Sequence, residues 1–449
     1  MKHHVQGFNL DFVRLSFTNR SAELKELDAA EKHGGMLILF GRRRVGKTRL
    51  LTQWLASRQG LYSQAIEGSL EIQLEQVFRD IQDQLGTSLT PKTWSEFFEL
   101  ITLLCGADAH ARQKKPLILC LDEFPYLVAS DPTLPSVLQR WVDHRKPENM
   151  LLILSGSSTR MMNDLFLNRA APLYGRARKL LHIEPMSYAA FCDACGLDPA
   201  EQESFTRYSL VGGIPKYWEF IQPEAGAIDL ANELFFGFAP YLDQEPARVL
   251  RDEGIAGTNA IALLEVIGRG SEKPSEMAAR LNTAQTNLSR LLTQLLDVSV
   301  LTREVPFGES LRSTKRIHYF IQDPTLRFWF RVYSPHRTRW TRYSEEEKRK
   351  LLRDHASTVF EEYCRKQHPD AARYWENNVE FDFLRLEDDP TEKPKLIVTE
   401  VKWKYLTEGE RAHLHNQLSE KWMQCKLRDK YPNVSFEVLD ADILRNKHY

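Results

Sequence analysis

Hydrophobic and polar positions follow two rhythms along this chain, and the rhythms mark out its elements. Gly34-Gly35-Met36-Leu37-Ile38-Leu39-Phe40 is an unbroken apolar run opened by glycines, which predicts a short strand buried on both faces. Pro116–Leu121 and Met150–Leu154 predict two more strands of that kind. Strands without alternation need cover on both sides, so the pattern predicts a parallel sheet between layers of helices. From about His182 to Ala256 the spacing turns helical, interrupted by Gly212-Gly213 and Pro215. Past Gly257, helical stretches at Ala260–Ile267, Ser275–Leu281 and Thr286–Leu296 precede two alternating segments, Thr302–Glu309 and Lys315–Ile321, that predict a hairpin. Three helices and a hairpin are the layout of a winged helix. A further helix begins near Glu345. After it come an alternating strand, Val379–Phe383, an acidic turn, Glu387–Pro394, and an apolar strand, Lys395–Thr399.

Composition narrows the class. At about 100–200 residues per domain, a chain of 449 residues predicts two to four domains, and 42% hydrophobic content is enough to build their cores. A net charge of −1 excludes a polycation that coats nucleic acid or anionic membrane along its whole length. No apolar run approaches the roughly 20 residues of a membrane helix, and Met1-Lys2-His3-His4 leads into no apolar stretch of a signal peptide. The six cysteines are not spaced as a secreted disulfide framework. Cys192 and Cys195 form a C-x-x-C within a helical stretch and, with no second pair nearby, read as packing residues. These features predict a cytoplasmic, multidomain protein without a membrane partner.

The chemistry is concentrated first at Gly41-Arg42-Arg43-Arg44-Val45-Gly46-Lys47-Thr48, which fits G-x-x-x-x-G-K-[ST] at every position and lies between a strand and a helix. Gly41 and Gly46 let backbone N–H groups approach phosphates closely, and the helix N-terminus adds a favourable partial charge. Lys47 is expected to reach the β- and γ-phosphates and Thr48 to hold Mg²⁺, with Arg42, Arg43, Arg44, Val45 and Arg49 around the nucleotide. The strand Pro116–Leu121 ends in Asp122-Glu123, where Asp122 is expected to support Mg²⁺ through water and Glu123 to activate the attacking water. That doublet favours hydrolysis over transfer to a second substrate. Ser155-Gly156-Ser157-Ser158 closes the third strand. It reads either as a sensor of the γ-phosphate, through Ser155, or as a plain serine-rich turn.

Phe17–Leu24, the glycine loop and Leu121-Asp122-Glu123-Phe124 together resemble the archaeal-type ATPases, on the AAA+/STAND side of the P-loop NTPases. Leu173-Tyr174-Gly175-Arg176, Gly212-Gly213-Ile214-Pro215 and Asp323–Phe330 agree with that resemblance, which runs over nearly the whole chain. It implies ATP and Mg²⁺ as cofactors, Arg20 at the edge of the adenine, Pro215 in a lid against the base or ribose, and Arg176 near the phosphates or an adjacent subunit. The fold expected is α/β: a P-loop NTPase (AAA+-like) parallel sheet at 1–181, a helical lid at 182–256, a winged helix-turn-helix at 257–343 and a C-terminal restriction-endonuclease-like α/β domain at 344–449.

Between Gly257 and Ser344 there are thirteen Lys/Arg against seven Asp/Glu, a local charge of +6. Gln285, Asn287 and Arg290 are expected to reach base edges, and Arg312, Lys315 and Arg316 to grip backbone phosphate. The alternative is a spacer that meets only protein. Phe328-Trp329-Phe330 and Trp340 read as core. In the last domain, period two places Glu380 with Asp382 and Glu400 with Lys402 on common faces. An acid on a helix, an Asp on one strand and Glu-x-Lys on its neighbour suit Mg²⁺ or Mn²⁺, with a lysine to steady charge on an attacked phosphate. The arrangement resembles the PD-(D/E)xK nucleases, and the resemblance assigns the metal to Asp382 and Glu400, the lysine to Lys402 and the helical acid to Glu361. The leading expectation is an ATP-hydrolysing switch that acts on nucleic acid with a metal-dependent nuclease domain. The alternative is a regulator whose ATP state gates a protein partner or a second copy, the last domain serving as docking surface.

Overall fold

The computed structural model describes residues 15–445 apart from 59, 86–89, 108–115, 145, 147–149, 256 and 388–393. A first helix, α1 (Ser21–His33), leads into β1 (Gly35–Phe40), the loop, and α2 (Lys47–Leu55). Then follow β2 (Gly60–Gln64), α3 (Leu70–Leu85), α4 (Trp94–Ala107), β3 (Leu117–Asp122), α5 (Phe124–Ser130), α6 (Leu134–His144), β4 (Met150–Gly156), α7 (Thr159–Phe166) and β5 (Lys179–His182). These strands form one parallel sheet in the order β2-β3-β4-β1-β5. Because β4 intervenes between β1 and β3, the loop and the acidic doublet leave the same sheet edge with one strand between them. That crevice beyond the strands' carboxyl ends is where ligands bind in open α/β sheets.

Both faces of the sheet are buried, which is why its strands carry apolar runs instead of alternation. Met36, Ile38, Leu119 and Leu152 pack with α3–α6 on one side. Leu37, Leu39, Cys120 and Ile153 pack with α2 and the lid on the other. The segment expected as a lid comprises α8 (Tyr188–Cys195), α9 (Gln202–Val211), α10 (Pro215–Trp218), α11 (Ala227–Ala231), a π-helical turn (Asn232–Phe236) and α12 (Glu245–Asp252). Cys192 and Cys195 are buried there, and burial pushes their thiols up to about 11 and about 12, so they are inert packing groups.

The next module holds α13 (Thr258–Gly268), α14 (Pro274–Arg280), α15 (Gln285–Asp297) and an antiparallel pair, β6 (Leu301–Glu304) with β7 (His318–Ile321). The hairpin is shorter than its alternation predicts. Past Glu304 the chain turns into the C-terminal domain: the N–H of Phe307 donates to the Arg373 carbonyl at 2.8 Å, and the Phe307 ring joins that domain's core. Arg316 likewise donates to the Trp375 carbonyl at 3.0 Å and pairs with Glu309. Leaving α16 (Pro324–Phe328), the chain passes α17 (Ser334–His336); Phe328, Phe330 and Trp340 are core residues, as their sequence predicts.

The last unit is α18 (Glu345–Lys366), β8 (Ala372–Glu376), β9 (Val379–Glu387), β10 (Lys395–Val401), α19 (Glu408–Met423) and β11 (Val434–Leu439). Its sheet runs β11-β10-β9-β8, antiparallel except for β10 with β11. Most of the turn expected at Glu387–Pro394 lies outside the described residues. The unit does not stand apart. Phe360, Val401, Trp403, Ala441 and Ile443 share one continuous core with Phe205 of the lid and Leu37 of the central sheet.

Candidate functional site

Two of the loop's glycines are dictated by geometry. A Cβ on Gly41 would lie 2.4 Å from the Ile183 carbonyl oxygen, and Gly46 sits at φ +100° as it enters α2, a conformation that costs side-chain-bearing residues strain. Lys47 is buried and donates to the carbonyls of Gly41 at 2.8 Å and Arg42 at 3.2 Å. Burial lowers its pKa, against the pull of Glu123 and Asp122.

At the end of β3, Asp122 is fully buried. Its Oδ2 accepts from the Thr48 hydroxyl at 2.6 Å and the Tyr62 hydroxyl at 3.0 Å, and its Oδ1 from the Glu123 N–H at 3.0 Å. Thr48 and Asp122 therefore converge, as hard oxygen donors able to hold Mg²⁺ directly or through water. Glu123 has φ +55°, a left-handed backbone that a glutamate adopts only where its surroundings enforce it. The turn directs its Oε2 to the Ser157 hydroxyl at 2.7 Å and the Ser157 N–H at 3.1 Å. Ser155, beside Leu39 of β1, has a buried hydroxyl with no partner among the described residues.

Arg20 and Pro215 line one cleft on the flank of the loop, together with Phe17, Val45, Arg49 and Trp218. Arg20 bridges the carbonyls of Val45 at 2.9 Å and Glu184 at 3.0 Å and pairs with Glu23. Arg49 holds the Leu15 carbonyl. Arg176 stands elsewhere: its partners are Asp143 at 2.7 Å and the Pro172 carbonyl at 2.8 Å, neither of them part of the loop.

The three central arginines are occupied in a way the sequence did not suggest. Arg42 pairs with Asp323 at 2.5 Å, Arg43 with Asp252 at 2.6 Å and Arg44 with Glu245 at 2.7 Å. The other oxygen of Asp323 caps α16 by accepting from Leu326 N–H, and Glu245 also accepts from the Tyr217 hydroxyl. Glu245, Asp252 and Asp323 carry no local motif, since each partner lies more than 200 positions away in the chain.

The C-terminal candidates form a second cluster. Val401 N–H donates to Asp382 Oδ2 at 2.6 Å, and Lys402 Nζ pairs with Glu400 Oε1 at 2.6 Å. One step beyond the Phe383–Thr399 pair, the antiparallel register sets Asp382 against Glu400. Burial raises the Asp382 carboxyl to about 7, with Glu400 and Glu361 adding to it. Burial likewise raises Glu361, which is also within reach of the Lys402 charge. Glu380, exposed on the same strand, pairs with Arg373 at 2.7 Å. Among the described residues no three Asp, Glu, His or Cys side chains stand together as a metal cage. Two carboxylates with water and substrate oxygens are a sufficient set for Mg²⁺.

On α15, Gln285, Asn287 and Arg290 are all exposed. No described helix is long and apolar enough to cross a membrane.

Residues 17–220 match the model of an ATPase domain predominantly from Archaea. An uncharacterized protein of Methanocaldococcus jannaschii is 25% identical over 431 residues, covering 90% of this chain and 91% of its own. Among solved structures, a Walker-type ATPase of Pyrococcus abyssi superposes with a TM-score of 0.54 at 19% identity, over 72% of this chain and all of the other. The ORC2 protein of Aeropyrum pernix covers 78% of this chain and 98% of its own at 12% identity, with a TM-score of 0.44, too loose a likeness to carry an argument.

Proposed function

We propose that this chain, whose residues 17–220 match the model of an ATPase domain predominantly from Archaea, uses ATP hydrolysis to control an action on nucleic acid, carried out by a metal-dependent nuclease site in its last domain. Lys47 and the loop N–H groups bind the phosphates, Thr48 and Asp122 hold Mg²⁺, and Glu123 takes a proton from the attacking water. The cleft of Phe17, Arg20, Pro215 and Trp218 receives the base, apolar surface on its faces and Arg20 at its edge. Ser155 offers its unpaired hydroxyl to the γ-phosphate side of the site. Mg²⁺ held by Thr48 and Asp122 would neutralise negative charge on the phosphates.

The exposed face of α15 and the surplus of positive charge around it support contact with a duplex. Arg316 serves the C-terminal domain instead, so the helix, more than the hairpin, carries this part of the reading.

A single observation supports the nuclease site most: the ladder sets half-buried Asp382 against Glu400, which holds Lys402, and burial together with Glu400 and Glu361 raises the Asp382 carboxyl to about 7. Carboxylates opposed across a ladder repel one another unless a cation lies between them. Asp382 and Glu400 would share that cation, and Lys402 would steady the charge on the attacked phosphodiester. The test is cleavage of mixed single- and double-stranded DNA and RNA with Mn²⁺ or Mg²⁺. The parent is expected to cut and Asp382→Asn to lose cutting while keeping ATP turnover. A parent that cuts none of them overturns the nuclease and leaves the ATPase.

A further inference from the structure

The lid's last helix reaches back into the nucleotide site with three carboxylates in nine positions. Glu245 and Asp252 go to loop arginines. Glu253, one residue past α12, goes to a helix end. Its Oε1 accepts from Thr159 N–H at 3.2 Å, and its Oε2 from Arg160 N–H at 3.1 Å and the Ser158 hydroxyl at 3.4 Å. These are the first free N–H groups of α7, where a carboxylate gains both charge-assisted hydrogen bonds and the helix's positive end. Glu253 is only 5% exposed; burial raises its carboxyl, and the three donors of α7 pull the other way.

The segment it grips adjoins Ser157, and Ser157 holds Glu123 by both hydroxyl and N–H. A continuous path therefore runs from one buried carboxylate to the other: Glu253, the α7 N-terminus, Ser157, Glu123. Glu253 bonds neither the loop nor Thr48 and Asp122; its charge also reaches Lys47, but the only hydrogen-bonded route from it toward Glu123 among the described residues is that path.

We propose that Glu253 is a positioning residue for ATP hydrolysis, fixing the α7 N-terminus so that Ser157 aims the Glu123 carboxylate at the attacking water. The inference rests on Glu123 as the base. It also gives the end of α12 a part in the site beyond the ion pairs that Glu245 and Asp252 make with the loop.

The experiment is steady-state ATP turnover and nucleotide affinity on the full chain. Glu253→Gln keeps the volume but sets an amide against N–H donors, so kcat is expected to fall roughly 10- to 100-fold, the scale of a small misplacement, with KM within about 2-fold. Glu253→Asp keeps the charge and is expected to recover most of the loss. Should the Gln variant not fold, the Asp variant carries the test with an expected drop of roughly 3- to 10-fold in kcat. Acting through Ser157 also predicts non-additivity: Glu253→Gln combined with Ser157→Ala should be no slower than the worse single variant. Unchanged kcat in Glu253→Gln and Glu253→Asp, a loss confined to KM, or losses that multiply in the double variant each overturn the proposal. Glu123→Gln is measured alongside. Normal turnover there removes the base assignment itself, whereas a slow Glu123→Gln beside a normal Glu253→Gln removes only the positioning role.

Discussion

The nucleotide site and the C-terminal cluster both gather carboxylates at strand ends, and they are balanced in opposite ways. Around the loop every acid meets donors: Asp122 has two hydroxyls and an N–H, Glu123 has Ser157, and Asp323, Asp252 and Glu245 each face an arginine. In the C-terminal domain Lys402 pairs with Glu400, and burial, with neighbouring acids adding to it, raises the carboxyls of Asp382 and Glu361. A region whose charges are already matched can admit an anion by exchanging partners, because arginines freed from carboxylates can turn to phosphates. A region with surplus acid is prepared for a cation. On the proposed reading, the same residue type would prepare two sites for opposite ligands.

The largest effect should come from Lys47→Ala. Removing the buried ammonium should abolish turnover and, with it, the stabilisation by Mg-ATP, which at 100-fold over Kd is about 2.7 kcal/mol. A melting temperature that still climbs with Mg-ATP as in the parent would break the assignment of the loop as the anion-binding half of the comparison.

Glu123→Gln should separate binding from chemistry. Nucleotide affinity should hold while turnover drops roughly 10²–10⁴-fold, measured by phosphate release and by fluorescent nucleotide binding on one preparation.

The C-terminal half is sharpened by pH. Asp382 titrates at about 7 when folded against 3.8 ordinarily, so the folded chain binds more protons than the unfolded chain between those values. Its contribution to stability therefore falls as pH rises through that window, and is fully adverse above it. Asp382→Asn should accordingly be more stable than the parent at pH 8, on the order of 2 kcal/mol, and no different near pH 4. Denaturant titrations at the two pH values check this. Mn²⁺ at pH 8 should raise the parent's melting temperature and leave the variant's unmoved.

The smallest effect belongs to the most exposed of the loop's three paired arginines, Arg43. Arg43 is 45% exposed in its pair with Asp252, and Arg43→Ala should cost only about 0.2–1 kcal/mol. Arg42→Ala should cost more, roughly 3 kcal/mol, since Asp323 is left buried with its charge. Equal costs would mean that the loop's ion pairs do not follow their burial.

What could be read from the sequence was what is local. The strand, loop and helix around Lys47, the Asp122-Glu123 strand end and the alternation at Asp382 all show within a few residues. So did the core role of Phe328 and Trp340, because consecutive aromatics leave no polar face. The carboxylates that hold the loop were invisible for the converse reason. Asp323 reads as a helix cap, which it is, and nothing near it announces Arg42, 281 positions earlier. Glu253 looks like any acid at the end of an amphipathic helix. The hairpin was overextended because Phe307 keeps the alternating pattern while its ring belongs to another domain.

The shared core has a consequence in time. Leu37 and Leu39 pack in one cluster with Trp403, Ala441 and Ile443. At roughly 5–20 residues per second of synthesis, the loop leaves the ribosome some 20–80 s before the residues that complete its core. During that interval the nascent chain carries an ATP-binding motif without the packing that steadies its lid. A chain arranged this way completes the packing beneath its loop late in synthesis, once Trp403, Ala441 and Ile443 have been made.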